Sequence, residues 1–194
     1  MRICTLLPSA TEICYALGLG DSVLGVTHEC DFPPEARDKR VVVTSRLPST
    51  SNSVEVDRLV NEFTARGESI YRVDAEALRE IDPDLIITQD LCHVCAASPD
   101  DLAAALSTLP RAPRVLSLNP HTLNDVWNDV LSVGAATERQ NAAEKLVEYL
   151  KDRVASVRRA VLPFNAQSTR SKLSARDKPS CPRHRSASPS QCSW

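Results

Sequence analysis

Glycine is scarce in this chain, with five residues in 194. None opens a phosphate-cradling loop: Leu17-Gly-Leu-Gly-Asp21 closes a helical stretch instead of starting one, so a nucleotide site of the Gly-rich type is excluded. Aromatic residues make up only 4%, so any core must be built from aliphatic side chains. No run of about 18 uncharged apolar residues occurs, which excludes a membrane-spanning helix. A formal net charge of −2 argues against a nucleic-acid binder. That average hides a split: residues 1–164 hold 17 basic and 24 acidic side chains, a balance of −7, whereas 165–194 hold 6 and 1, a balance of +5. With 42% hydrophobic and 25% charged residues, the chain has the profile of a soluble globular protein, long enough for one domain and marginal for two.

Cysteine is present but not as a staple framework. Seven residues, an odd number unevenly spaced, do not suit a disulfide scaffold in a chain this long. At the N-terminus Arg2 is followed by five apolar residues before Pro8, Ser9, Thr11 and Glu12 break the run. A secretory signal needs a longer apolar segment and a small-residue cleavage site, so the sequence as encoded reads as cytoplasmic.

What is there is an alternation. Short apolar runs at 3–7, 23–27, 41–43, 85–88 and 115–118, with a further short strand at 70–73, are separated by amphipathic helical stretches. Most runs are continuously apolar, as expected of strands covered on both faces. The fold class is therefore α/β: a single doubly wound lobe with a mainly parallel sheet. Ser9-Ala-Thr-Glu12, Ser98-Pro-Asp-Asp101 and Thr122-Leu-Asn-Asp125 read as capping boxes. Asn52 or Ser53 caps a helix that Gly67 ends. Trp127 reads as a core residue on a helix.

The lobe occupies 1–137. Over 138–162, Leu146, Leu150, Val154, Val157 and Val161 form one stripe of a single long helix, more strut than connector. Residues 163–194, rich in Ser, Pro and Arg, read as a basic disordered tail that buries too little to offset its ordering entropy.

In a parallel sheet the loops that follow the strands gather along one edge, where open α/β folds bind ligands. Those loops carry Ser9 and Thr11; His28, Glu29, Cys30 and Phe32; Asp90, Cys92, His93 and Cys95; and His121. Ser9 and Thr11 offer hydroxyls but are also capping candidates, and Phe32 offers an apolar face. Cys30, Cys92, Cys95 and His28 form a candidate metal set for zinc or iron, with the imidazoles of His93 and His121 nearby. The competing reading makes them packing thiols and hydrogen-bonded imidazoles beside a cleft. Cys92-His-Val-Cys95 has thioredoxin-like spacing but does not sit at a helix start, and Ala96 removes the haem-attachment pattern. A nucleophilic enzyme would need Cys30 or Cys92 beside a histidine and an orienting third group, which nothing places.

At these loops the sequence resembles a known family. Ile3-Cys-Thr-Leu-Leu-Pro-Ser-Ala-Thr-Glu-Ile13 followed by Ala16-Leu-Gly-Leu-Gly-Asp21 is similar to the opening of the cobalamin and iron-siderophore substrate-binding proteins of ABC importers. Val26-Thr-His-Glu-Cys-Asp-Phe-Pro-Pro34, Pro83-Asp-Leu-Ile-Ile-Thr-Gln-Asp-Leu-Cys-His-Val-Cys95 and Arg114-Val-Leu-Ser-Leu-Asn-Pro-His-Thr122 resemble its cobalamin-binding branch.

The resemblance covers residues 2 to about 161. It implies two α/β lobes joined by a long helix, with the ligand between them, and hence a first lobe plus helix here with the second lobe absent. It also implies a non-enzymatic binding protein whose ligand is cobalamin or a related metal chelate and whose partner is an ABC transporter permease. Family members are periplasmic or extracytoplasmic. The helix face meant for a second lobe would be exposed and would also admit a homodimer; neither nucleic acid nor membrane insertion is expected.

Overall fold

A computed structural model describes residues 1–48, 52–89 and 99–173. The described residues form six strands and six α-helices, in the order β1 (Ile3–Thr5), α1 (Pro8–Ala16), β2 (Val23–Thr27), β3 (Arg40–Ser45), α2 (Ser53–Ala65), β4 (Tyr71–Val73), α3 (Ala75–Ile81), β5 (Leu85–Thr88), α4 (Pro99–Ser107), β6 (Arg114–Ser117), α5 (Leu123–Ala136) and α6 (Gln140–Leu173). The sheet order is β4-β3-β2-β1-β5-β6. Every neighbouring pair is parallel except β3 with β4, which is antiparallel. The chain winds outward from β1 to β4 and then returns to the other side of β1 to lay down β5 and β6. That reversal is the topological switch point of a doubly wound sheet.

The continuous apolar runs are explained by burial on both faces. Ile3, Leu85 and Ile87 pack with Ala10, Cys14, Val130, Val133, Ala143 and Val147 of α1, α5 and the start of α6. Their neighbours Cys4 and Ile86 point the other way, against Ala77 and Leu78 of α3 and Leu102 and Ala105 of α4. Alternation is thus present in space but invisible in hydropathy, because both faces are dry. The central residues Ile3, Cys4, Val23, Val42, Ile86 and Ile87 are fully buried.

Thr122 caps α5 as the sequence predicts: its hydroxyl accepts from Asp125 N–H, and the Asp125 carboxylate accepts from the Thr122 N–H. Asn52, rather than Ser53, caps α2, and Gly67 lies beyond that helix at φ +68. The box at Ser9 does not form. Pro8 occupies the first helical position with Leu7 as the uncapped N-cap, so the helix begins two residues early and Ser9 and Thr11 both fall inside its first turn. Ser98 lies outside the described residues. Trp127 is partly buried and packs on the core.

The chain divides into two units, 1–150 and 151–194. In the first, the start of α6 contributes Ala143, Leu146 and Val147 to the core. The junction of α5 and α6 is tight: a Cβ on Gly134 would lie 2.4 Å from that of Ala143. In the second unit Val154, Val157 and Val161 are exposed. The helical backbone continues to Leu173, ten residues beyond Pro163, where the composition places the start of a tail. A proline removes one backbone hydrogen bond, and a helix that tolerates the kink can run on.

Candidate functional site

The parallel strands direct β1, β2, β3, β5 and β6 to one edge with their C-terminal ends. Since β4 is antiparallel, its first residue, Tyr71, arrives at that same edge, paired with Ser45 at the end of β3. Reading only the loops after strands therefore misses Tyr71.

The turn after β2 is the most populated part of this edge. Thr27 Oγ1 accepts from Glu29 N–H at 3.0 Å, and the Thr27 carbonyl accepts from Cys30 N–H at 3.1 Å, folding the chain back at once. His28 is exposed on the outside of the turn. Its N–H donates to the Val43 carbonyl at 3.0 Å, and its Nδ1 lies 3.3 Å from the same oxygen. The His28 and Tyr71 rings are tilted at 53° with centroids 6.1 Å apart. Tyr71 donates its phenol proton to Glu29 Oε1 at 3.4 Å. Phe32 stands 61% exposed on the same loop. Imidazole, phenol, carboxylate and phenyl groups are thus gathered at the end of β2 to β4.

Cys30 faces inward. Its sulfur is buried and lies 3.0 Å from Thr11 Oγ1 and 3.6 Å from Thr27 Oγ1. Thr11 is fully buried, with its hydroxyl 2.6 Å from that of Thr5. These two residues sit beneath the edge, whereas Ser9 is exposed upon it. His121 is exposed on the loop after β6, its N–H donating to Asp125 Oδ2 at 3.0 Å. Hydrogen bonds from the Thr122 side chain, then from the His121 and Thr122 amides, hold the Asp125 carboxyl below the usual aspartate value.

Of the candidate metal set, Cys30 is buried on its threonine partners and His28 lies on the outside of the same turn. Asp90, Cys92 and Cys95, with His93, lie outside the described residues. Among the described residues no three His, Cys, Asp or Glu side chains form a metal cluster. Cys4 and Cys14 are core thiols whose pKa burial pushes up to about 12, so neither is a thiolate at neutral pH.

Residues 3–163 match the family model described as periplasmic binding protein. The chain is 27% identical over 152 residues to an uncharacterized ABC transporter substrate-binding lipoprotein, YvrC, of Bacillus subtilis (strain 168), covering 77% of this chain and 38% of that one. It is 34% identical over 86 residues to a vitamin B12-binding protein of Vibrio cholerae, covering 44% and 22%. The crystal structure of a periplasmic heme binding protein from Pseudomonas aeruginosa matches in fold at TM-score 0.62 and 18% identity, over 87% of this chain and 48% of that one. The chain therefore spans less than half the length of these relatives.

Proposed function

The chain belongs to the periplasmic binding protein family, and on that premise we propose that its C-terminal sheet edge is one side of a binding site for cobalamin or a related metal chelate. The reading is of a non-enzymatic substrate-binding protein of the ABC-importer type, with a transporter permease as its partner. Residues 1–137 would be the binding lobe and the long helix its backbone.

The carrying observation is that His28, Glu29 and Phe32 stand exposed, with the partly buried Tyr71 beside His28 and Glu29, where the topology puts a ligand. Phe32 and the Tyr71 ring offer apolar faces for a flat macrocycle, while His28 and Glu29 offer polar contacts to its rim. His121, three inter-strand steps from His28 across β1 and β5, is about 14 Å away along the edge at the usual strand spacing. A broad conjugated ring lying across the switch point suits that separation better than a single small ion does. Ser9, on the first turn of α1 between them, would donate a hydrogen bond. Asp90, Cys92 and Cys95 follow β5, the strand between the two histidine loops, and are proposed as further contacts. The ligands for which the relatives are named, vitamin B12 and heme, are both such macrocycles and support the class rather than one member of it.

Equilibrium dialysis of the purified chain against cyanocobalamin and against haemin, read by visible absorbance, tests this. Saturable one-to-one uptake of either with a Kd below about 10 μM is the expected result. Absence of uptake of both, with stoichiometric zinc bound instead, would replace it by the Cys/His metal reading.

A further inference from the structure

Under the exposed group runs a chain of four buried polar side chains, Thr5, Thr11, Thr27 and Cys30, whose relative exposures are 0%, 0%, 3% and 4%. They come from β1, α1, the end of β2 and the turn after it. One end of the chain is fixed by a backbone acceptor. The Gly25 carbonyl can only accept, so the Thr5 hydroxyl donates to it at 3.5 Å. The Thr5 and Thr11 hydroxyls share a hydrogen bond at 2.6 Å, and Thr11 also reaches the Leu7 carbonyl at 3.4 Å. Thr11 Oγ1 lies 3.0 Å from the Cys30 sulfur, and Thr27 Oγ1, which accepts from Glu29 N–H, lies 3.6 Å from it. Each member thus has at least one polar partner within the chain.

We infer that this chain is a positioning device in which Cys30 pins the turn bearing His28, Glu29 and Phe32 to the first turn of α1. The inference rests on the binding reading above and assigns Cys30 and Thr11 to hold the site rather than to touch its ligand. Sequence order alone, with Cys30 between Glu29 and Phe32, makes it look like a ligand contact. What turns it inward is the pair of hydroxyls at Thr11 and Thr27, one from each of the elements it joins. A buried donor left unmatched is costly, so a turn that loses this link relaxes until its groups find water.

Amide exchange of the full chain measured by mass spectrometry tests the device without any ligand. In Cys30→Ala and in the near-isosteric Thr11→Val, the segment 28–32 is expected to exchange about tenfold faster while β1 and β5 stay protected. Cys30→Ser, which keeps a donor, is expected to restore slow exchange. Cyanocobalamin or haemin affinity should fall with the two disrupting variants, by about threefold to tenfold, and recover with serine.

Gly134→Ala serves as the control, since it strains the remote α5–α6 junction and should weaken the whole fold without selecting residues 28–32. Unchanged exchange at 28–32 in both Cys30→Ala and Thr11→Val would overturn the inference. So would loss spread evenly over the sheet as in the control. If the unaltered chain takes up neither probe, the binding reading fails while the exchange result still decides the positioning role.

Discussion

The two ends of the same six strands are finished in different ways. At the N-terminal ends, charge is matched with charge: Arg2 reaches Asp82 at 2.8 Å, and Arg111 reaches Asp84 at 2.7 Å. Asp84 also accepts from the Arg2 backbone N–H at 2.7 Å, tying the start of β1 to the start of β5. Arg114, opening β6, donates to the carbonyl of Ala136 at the end of α5. At the C-terminal ends the described residues hold one pair between neighbouring strand segments, Arg46 after β3 with Glu68 before β4 at 4.0 Å. There His28, Tyr71 and Glu29 touch one another, Phe32 faces water, and the buried threonine–cysteine chain lies beneath. One edge uses its polar groups mainly to hold strands together, and the other gathers side chains of mixed chemistry at the ends of β2 to β4. Changes at the first edge should cost stability and spare binding, and changes at the second should do the reverse.

The largest effect is expected at Gly134. Its added methyl would meet the Ala143 Cβ at 2.4 Å and the Arg139 carbonyl oxygen at 3.3 Å. Neither obstacle is the free end of a flexible side chain, so the helices must separate. Gly134→Ala should destabilise by about 2–3 kcal/mol, read from the urea midpoint at unchanged slope. A loss of macrocycle affinity matching that of an edge variant would break the distinction between the two ends.

Phe32→Ala is the opposite case. The ring is exposed without ligand, so its removal should change stability by no more than about 0.5 kcal/mol. If a macrocycle covers it, the lost burial of about 1.5 kcal/mol or more predicts roughly tenfold weaker binding or worse. Dialysis of the variant beside the unaltered chain measures it, and unaltered affinity would remove Phe32 from the site.

Much of the scaffold was legible because its signals are local or doubly buried. The runs at 23–27 and 85–88 match β2 and β5 residue for residue, since strands covered on both faces must be apolar throughout. The Thr122 cap was readable because both partners lie within four residues. The Ser9 box failed because Pro8, one residue earlier, is a better first helical residue than Ser9 is a cap. Asp74, whose carboxylate accepts from the Glu76 and Ala77 amides at the start of α3, carried no such neighbouring pattern.

The site was harder to read, for a physical reason. Whether Thr11 and Cys30 face ligand or core depends on partners 6 and 19 residues away in sequence, Thr5 for one and Thr11 for the other. Tyr71 reaches the edge only because β4 pairs antiparallel, a tertiary choice that its three residues do not encode. The family resemblance located the edge, but composition could not tell which of its side chains turn outward.

The smallest effect, and the one that most sharpens the contrast, is the acid response of Asp84. Its carboxyl is held below the ordinary aspartate value, first by the Arg2 backbone N–H and then by the Arg111 side chain. A carboxylate with a depressed folded-state pKa contributes stability that is complete above the unfolded value, near 3.8. That contribution is lost as pH falls through the folded value. Asp84→Asn should therefore melt below the unaltered chain at pH 7, and the gap should narrow as pH falls below the unfolded value and through the folded one. Because the group is exposed and screened, the shift should be modest and should shrink in high salt. Macrocycle affinity at pH 7 should not change, since the pair lies at the far ends of the strands. A gap that stayed constant from pH 7 to pH 3 would mean that Asp84 acts through its shape and hydrogen bonds alone, and that the N-terminal edge is not closed by charge.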